Sequence, residues 1–233
     1  MIARAITPAR RRGVEILDDP GVDPVVRARS IGDVAVSNRI LGGLRAPLAE
    51  LRALLGELGP RATLLDVGTG FADIPFGAAR IARDAGVALT TIGVDSAHAL
   101  LVADRERVSH AVCADARRLP FADGSVDVVM CSQLLHHFDA DDAVALLAEL
   151  DRVARHAVIV SDLRRSWLAV AGFWMATFPL GFHAVTRHDG VVSILRGFTA
   201  DELAALITMS TGAQPHVRQW LGYRVTASWR PVA

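Results

Sequence analysis

The chain has 233 residues, of which 52% are hydrophobic and 21% charged, and its 25 basic residues balance its 25 acidic ones. This length predicts one ordinary domain, with at most an appendage, that buries a core without disulfides or metal ions. The balanced charge gives no general attraction to nucleic acid, and two cysteines are too few for a disulfide framework. Cys113 and Cys131 both lie in apolar runs, so both thiols are predicted to be buried.

The N-terminal part of the chain precedes the first predicted strand. Its first 20 residues contain arginines but no apolar stretch of the kind that a secretory signal needs, so a cytoplasmic location is expected. Residues 23–58 then predict two helices that are interrupted at Gly42 and Gly43. We expect residues 1–59 to form a helical cap and residues 60–233 to form the main domain.

Short β-rich runs alternate with helical segments from residue 62 to residue 162. The predicted strands span 62–68, 89–95, 110–115, 126–132 and 156–162, and most are continuous apolar runs, as expected of strands covered on both faces. The helix after the fourth strand has Asp139 or Asp141 available as its N-cap. This alternation predicts a parallel, doubly wound sheet with right-handed crossovers.

The C-terminal segment departs from this alternation. A helix with Thr199 as its predicted N-cap precedes two β-rich pieces that meet near Leu221 and Gly222. Strands joined so closely must be antiparallel neighbours, because a parallel connection needs a dozen or more residues. The predicted fold is therefore a Rossmann-like α/β sheet of seven strands, mostly parallel, with an antiparallel C-terminal strand.

A glycine-rich turn, LLDVGTG, joins the first predicted strand to an Ala-rich helix. Such a turn lets the backbone approach a ligand at the carboxyl end of a strand. A dinucleotide-binding turn would continue with a third glycine at the position of Asp73, and no P-loop motif is present. A carboxylate at this place disfavours a pyrophosphate and favours a ligand that carries positive charge.

Acidic residues also close the next two predicted strands. Asp95 ends the second strand, where a carboxylate can accept hydrogen bonds from both hydroxyls of a ribose. Asp115 ends the third strand, where a side-chain oxygen could accept a hydrogen bond from an adenine amino group. With Asp66 and Asp73, these carboxylates are predicted to converge on one edge of the sheet.

The segments LLDVGTG, GVD and CADARRLPFADGSVDVVMCSQLLHHF, with the antiparallel final strand, resemble the class I S-adenosylmethionine-dependent methyltransferases. The nearest branch is the small-molecule one that includes the ubiquinone and menaquinone biosynthesis enzymes. The resemblance covers residues 60–162 well and the rest more loosely, and Ala72 stands where many members have a third glycine. It implies S-adenosylmethionine as cofactor. The cofactor-binding residues that it implies are Asp66, Gly68, Thr69, Gly70, Asp73, Asp95, Ser96, Asp115, Ala116, Ser132 and Gln133.

Two histidines after the fourth strand are candidate catalytic residues. Transfer from a sulfonium is an in-line displacement, so placing the acceptor in a dry pocket can supply much of the catalysis. An oxygen acceptor can still need a base, because a phenol with a pKa of about 10 is mostly protonated at neutral pH. His136 and His137 lie at the expected edge, although a His pair is common there in the family even where no base is assigned. No metal site is predicted.

The segment from Trp167 to Val185 contains no formally charged residue. Its length makes it a transmembrane candidate on hydropathy alone, but Pro179 and two glycines interrupt it, and a spanning helix here would split the sheet. It is predicted to be either a buried helix or an apolar lid, within an insertion at about 164–198. The residues predicted to contact the acceptor are Trp167, Phe173, Trp174, His183 and Arg187.

The predicted function is S-adenosylmethionine-dependent methyl transfer to a small, largely apolar or phenolic acceptor, with oxygen favoured. Segments such as SDLRRS and RHDGVVSILRGFT resemble methyltransferases of bacterial polyketide or phenolic-lipid biosynthesis, which supports this acceptor class. The alternatives are C- or N-methylation, a partner protein that binds the cofactor without chemistry, and a nicotinamide-dependent oxidoreductase. The charge balance and the absence of an Asn-Pro-Pro-Tyr or Asp-Pro-Pro-Tyr motif disfavour nucleic acid as a substrate. Peripheral membrane contact and the oligomeric state stay open.

Overall fold

The computed structural model describes residues 7–11, 13–19, 21–103 and 105–232. It contains a seven-stranded sheet with the order β3-β2-β1-β4-β5-β7-β6. Strands β1 to β5 run parallel, and β7 runs antiparallel to both β5 and β6, so the predicted fold class is confirmed. The strands are β1 (Arg61–Val67), β2 (Ala88–Asp95), β3 (His110–Cys113), β4 (Val126–Ser132), β5 (Ala154–Leu163), β6 (His216–Trp220) and β7 (Arg224–Trp229).

Helices cover both faces of this sheet, and two begin at predicted caps. The Asp139 side chain accepts a hydrogen bond from the backbone N–H of Asp142, and Thr199 forms a reciprocal capping box with Glu202. The α-helices are α1 (Pro24–Ile40), α2 (Arg45–Leu54), α3 (Asp73–Asp84), α4 (His98–Ala103), α5 (Ala140–Val153), α6 (Trp167–Thr177), α7 (Ala184–Arg196) and α8 (Ala200–Thr211).

The core has two layers, one on each face of the sheet. Helices α5 and α8 cover one face and helices α2 and α3 cover the other, which explains why the central strands are apolar without alternation. Each fully buried leucine or isoleucine contributes about 1.5–3 kcal/mol relative to its exposed state. Fully buried core residues include Leu65, Val129, Leu146 and Val160 on the first face and Leu51, Leu64, Met130 and Ile159 on the second.

The prediction for the two cysteines is correct for one of them. Cys131 is buried in β4, whereas Cys113 is exposed at the end of β3. Strand β3 is an edge strand of the sheet, so its residues are only partly covered. An apolar run in the sequence does not distinguish an edge strand from a central one.

The helices α1 and α2 rest on the turn between β6 and β7. The Arg224 Nε–H donates to the carbonyl oxygen of Leu41 over 3.3 Å, and the backbone of Gly222 lies against the same residue. The two predicted cap helices are therefore present and contact the C-terminal hairpin. Residues 1–6, Arg12 and Pro20 of the predicted cap lie outside the described residues.

Helix α6 is apolar on all sides but is not buried. Trp174 is 50% exposed and Met175 is 66% exposed, which contradicts the alternative of a buried helix; the lid stays a prediction. Among the described residues, no helix is both long enough and apolar enough to cross a bilayer.

Gly222 provides a stability test of this cap-to-hairpin contact. Its φ is +78°, and a Cβ there would collide with the backbone of Leu41, whereas Gly212 has φ +75° and open space around the same position. We expect Gly212→Ala to lose about 1–2 kcal/mol from the left-handed backbone alone. Gly222→Ala should lose clearly more, since backbone atoms must also move apart. Urea unfolding of both variants measures the difference, and equal losses would contradict the contact.

Candidate active site

Two adjoining cavities lie at the carboxyl edge of the parallel strands. The first has a volume of about 670 Å³ and the second about 460 Å³, and Gly68 lines both. These volumes fall in the range of small-molecule sites. The first cavity is walled by α1, α6, α7 and the ends of β1 and β4, with Val34, Thr69, Ser132, Phe173 and Ile194 among its lining residues. The ends of β2 and β3 line the second cavity.

Hydrogen bonds from three backbone N–H groups fix the glycine-rich turn against the end of β2. The N–H groups of Gly68 and Thr69 donate to the Val94 carbonyl oxygen over 2.8 and 2.9 Å. The Gly70 N–H donates to Asp95 Oδ2 over 2.9 Å. Gly68 has φ +74°, and a Cβ there would lie 2.8 Å from the Leu134 side chain, so only glycine fits. The turn thereby brings the backbone to the border of both cavities.

Asp66 is a buried carboxyl group in β1, just before this turn. It is 1% exposed, and no hydrogen bond of good geometry reaches either carboxylate oxygen from the described residues. Burial raises the pKa of Asp66 to about 7; the nearby Thr69 hydroxyl lowers this pKa and the Asp95 carboxylate raises it. A cationic ligand group nearby would favour the ionised form of Asp66.

Asp73 and Asp115 are each paired with an arginine. Asp73 Oδ1 lies 2.6 Å from Arg107 Nη1. This ion pair neutralises the charge of Asp73, so the sequence argument that Asp73 would repel a pyrophosphate no longer holds. Asp115 accepts hydrogen bonds from the side chain and backbone of Arg117, which lower the pKa of Asp115 to about 2. Asp73 lines the first cavity and Asp115 lines the second, so both are at the predicted edge.

The other predicted cofactor residues are distributed over the two cavities. Asp95, Ser96 and Ala116 line the second cavity, and Asp95 Oδ1 accepts the Ala97 N–H over 2.9 Å. Thr69 and Ser132 line the first cavity, and their buried hydroxyl oxygens have no hydrogen-bond partner in the described part of the chain. Buried polar groups without a partner are costly, so these two hydroxyls are suited to bind a ligand.

His136 forms a buried pair with Asp162. Its ring is 3% exposed, and its Nδ1 lies 2.6 Å from Asp162 Oδ1. The backbone N–H of His136 also donates to Asp162 Oδ2, over 3.0 Å, and the N–H of Leu163 donates to Oδ1. Burial alone would raise the pKa of Asp162, but His136 and these hydrogen bonds lower it overall. The carboxylate therefore fixes the orientation of the imidazole, with Nε2 as the free nitrogen.

Glu15 lies beyond the free nitrogen of His136. Its Oε1 is 4.0 Å from His136 Nε2, and it accepts hydrogen bonds from Ser193 Oγ (2.7 Å) and Arg196 Nη1 (2.9 Å). Burial raises the pKa of Glu15, and His136, Ser193 and Arg196 counteract it. Glu15, His136 and His137 offer ligand atoms within 4.8 Å of one another, as a metal site would. The Arg196 guanidinium, 3.4 Å from His137 Nδ1, already neutralises Glu15 and would repel a metal ion.

Only one of the five predicted acceptor residues lines the first cavity. Phe173 lies in its wall, where α6 crosses α7. Trp167 and Trp174 are partly exposed on α6, and His183 caps α7 through the Val185 N–H. Arg187 donates to the Phe182 carbonyl oxygen over 3.0 Å. These four residues lie outside the lining.

Three residues of the first cavity or its wall were not found from the sequence. Asp162 could have been found, because it ends the predicted fifth strand at the same edge as Asp95 and Asp115. No sequence pattern pointed to Glu15 or Arg224, because Glu15 precedes the first helix and Arg224 begins the C-terminal strand β7. Both reach the cavity only through the tertiary fold.

The comparisons agree with this fold. Residues 65–160 match the family model described as a methyltransferase domain, whereas no curated protein matches the sequence. A similar solved structure is magnesium protoporphyrin IX methyltransferase from Synechocystis with bound S-adenosylmethionine, with 13% identity and a TM-score of 0.56 over 94% of this chain and 89% of that one. Another is 1,6-didemethyltoxoflavin-N1-methyltransferase from Burkholderia thailandensis, with 18% identity and a TM-score of 0.53 over 93% of each chain. A methyltransferase from Aquifex aeolicus has 16% identity and a TM-score of 0.54, over 78% of this chain and 89% of that one.

The chain therefore contains a methyltransferase domain, and its fold is that of the class I S-adenosylmethionine-dependent methyltransferases. The resemblance predicted from LLDVGTG is confirmed for the fold and for the methyltransferase domain, whereas the small-molecule branch stays a prediction. The cofactor of this class is S-adenosylmethionine, as predicted.

The buried Asp66 carboxyl predicts a pH-dependent stability. The unfolded chain ionises this group near its ordinary pKa of 3.8, and the folded chain holds the proton up to a pKa of about 7. Stability is therefore lost as the pH rises from about 4 to 7, by about 4 kcal/mol at most. Asp66→Asn should remove this loss and be the more stable protein at pH 8. Urea unfolding at pH 5 and pH 8 measures the loss of stability, with a substitution at an exposed carboxylate, Asp141→Asn, as the control. The same pH dependence in the unaltered protein and in both variants would contradict the assignment.

Proposed function

We propose that the protein transfers the methyl group of S-adenosylmethionine to an oxygen atom of a small, largely apolar or phenolic acceptor. The observation that carries this proposal is the buried His136–Asp162 pair in the wall of a large cavity that adjoins the glycine-rich turn. The resemblance of SDLRRS and RHDGVVSILRGFT to polyketide and phenolic-lipid methyltransferases supports the acceptor class.

The second cavity is suited to the nucleoside of the cofactor. Asp95 would accept the ribose hydroxyls, since each carboxylate oxygen that holds a backbone N–H can accept a further hydrogen bond. Asp115 and the backbone of Ala116 would contact the adenine. Gly68 connects this cavity to the first one, where the Ser132 hydroxyl, and the Thr69 hydroxyl beside Asp66, could bind the amino-acid part. When bound, the cofactor supplies an activated methyl group on a positively charged sulfur.

The remaining part of the first cavity is suited to the acceptor. Its wall comes from the cap helix α1 and the lid helices α6 and α7, and most of these side chains are apolar. Such a chamber orients a ring or chain by its shape and excludes water from the reacting atoms. The toxoflavin and protoporphyrin methyltransferases of similar fold act on ring compounds, which supports a small-molecule acceptor.

His136 would act as the general base. With its Nδ1 bound to Asp162, the neutral imidazole carries its proton on Nδ1 and accepts one at Nε2. Asp162 and Glu15 would then stabilise the imidazolium from opposite ring nitrogens. His137 would stay neutral, because burial and the neighbouring His136 and Arg196 lower its pKa.

The first test is calorimetric titration with S-adenosylmethionine and S-adenosylhomocysteine, with NAD as the control. Micromolar binding of the first two without NAD binding supports the proposal, and NAD binding alone would support an oxidoreductase instead. A panel of phenols, matched anilines and carbon acids then identifies the methylated atom. Cofactor binding without transfer to any of them would favour a partner protein without chemistry.

Asp95→Ala should weaken S-adenosylhomocysteine binding by at least tenfold. The substitution removes the proposed acceptor for the ribose hydroxyls and the partner of the Gly70 N–H. Asp84→Ala, at the exposed end of α3, is the matched control and should bind as the unaltered protein does. Calorimetry measures both, after circular dichroism has shown that both are folded. Unchanged affinity in Asp95→Ala would refute the assignment.

His136→Gln should lower kcat for a phenolic acceptor by about 100- to 10,000-fold, the usual contribution of a general base. Asp162→Asn should also lower kcat, because the amide can donate to Nδ1 and leave the proton on Nε2. S-adenosylhomocysteine affinity should change little in either variant, which separates a catalytic defect from misfolding. Full activity of His136→Gln would show that placement alone drives the reaction.

A further inference from the structure

Arg224 is a buried cation that the proposed methyl transfer does not use. It is the first residue of β7 and is 3% exposed, and it pairs with Leu163 of β5 in the antiparallel register. Its Nη1 donates to Gln133 Oε1 over 2.6 Å, and its Nε donates to the Leu41 carbonyl oxygen over 3.3 Å. Both partners are neutral.

The charge of Arg224 has no counterion in contact. No carboxylate oxygen of the described residues lies within 4.0 Å of its guanidinium, and its Nη2 makes no hydrogen bond to the described part of the chain. Asp162 is near enough to act electrostatically, but its oxygens already accept from His136 and Leu163. Burial lowers the pKa of Arg224 to about 10, which still leaves it charged at neutral pH. A buried charge without a partner is costly unless a ligand neutralises it.

The open side of Arg224 faces the first cavity. Arg224, Gln133 and Tyr223 line it together with His136. The Gln133 amide orients the guanidinium fork, and a planar fork of this kind binds a carboxylate with two parallel hydrogen bonds. The first cavity thus contains both a fixed pair of N–H donors, on Arg224, and the proposed base, His136.

We propose that Arg224 is the subsite for a carboxylate, or a comparable oxyanion, carried by the acceptor. The assignment rests on the proposed function for the role of the chamber, and it narrows the acceptor to a hydroxylated, largely apolar acid. The hydroxyl would lie at His136 and the anionic group at Arg224.

Sheet order favours the acceptor over the cofactor as the source of this anionic group. The cofactor turn follows β1, whereas Arg224 begins β7, and β4 and β5 lie between them. Three strand spacings separate Arg224 from the turn by about 14 Å, although Gln133, the hydrogen-bond partner of Arg224, directly follows Ser132 in the chain. The amino-acid carboxylate of S-adenosylmethionine is nevertheless a second carboxylate that could enter the chamber, so the experiment includes it.

Equilibrium binding tests the subsite without turnover. The probes are 3-hydroxy-2-naphthoate and its neutral amide, titrated into the protein with and without saturating S-adenosylhomocysteine. We expect the unaltered protein to bind the acid at least tenfold more tightly than the amide, and Arg224→Met to lose this preference. Arg224→Lys keeps the charge and should keep part of the preference, which guards against a folding defect in the methionine variant. Arg155→Met, at an exposed arginine paired with Asp127, should behave as the unaltered protein does.

Two results would overturn the proposal. One is the absence of an acid preference in the unaltered protein, which includes failure of the acid to bind. The other is that Arg224→Met loses affinity for S-adenosylhomocysteine but keeps its affinity for 5′-methylthioadenosine. Because 5′-methylthioadenosine lacks the amino-acid carboxylate, this result would show that Arg224 binds the cofactor. Failure of the methyl-transfer proposal gives a different pattern, in which the acid preference persists although no acceptor is methylated.

Discussion

Two hydrogen bonds at the end of β2 determine the position of the active site. The amides of Gly68 and Thr69 both donate to the Val94 carbonyl oxygen, so the chain leaves β1, turns across the end of β2 and enters α3. The same turn brings the Gly70 amide to Asp95. Parallel pairing of β1 with β2 and β4 is the precondition, because it aligns the strand ends that open the two cavities.

The first cavity depends on contacts between distant parts of the chain. The Asp189 carboxylate of α7 accepts the N–H groups of Ile16 and Leu17, over 2.8 and 2.9 Å, and this holds the neighbouring Glu15 near His136. On the other side, Asp33 of α1 accepts the N–H at the start of α7 over 2.7 Å. Carboxylate-to-backbone hydrogen bonds therefore join the N-terminal segment, α1 and α7 around the first cavity.

Two buried ionisable groups that have no counterion in contact among the described residues lie at opposite ends of the site. Asp66 in β1 is an acidic group without a hydrogen bond of good geometry among the described residues, and it lies beside the turn that would receive a cationic cofactor. Arg224 in β7 is a cation that no described carboxylate contacts, and it faces the chamber proposed for the acceptor. The surface pairs at Asp73 and Asp115 are neutralised by arginines, so Asp66 and Arg224 are the groups that ligands would satisfy.

The sequence by itself predicted the five parallel strands and the edge of the sheet where the carboxylates gather, because these depend on local patterns: apolar runs, the glycine-rich turn and acidic residues at strand ends. It also determined the helix caps at Asp139 and Thr199. The exposure of Cys113 depends on an edge position in the sheet, which no local pattern records. Only the tertiary structure brought Glu15 and Arg224 to the cavity, because residues far apart in the chain meet there through packing of the cap and the C-terminal hairpin.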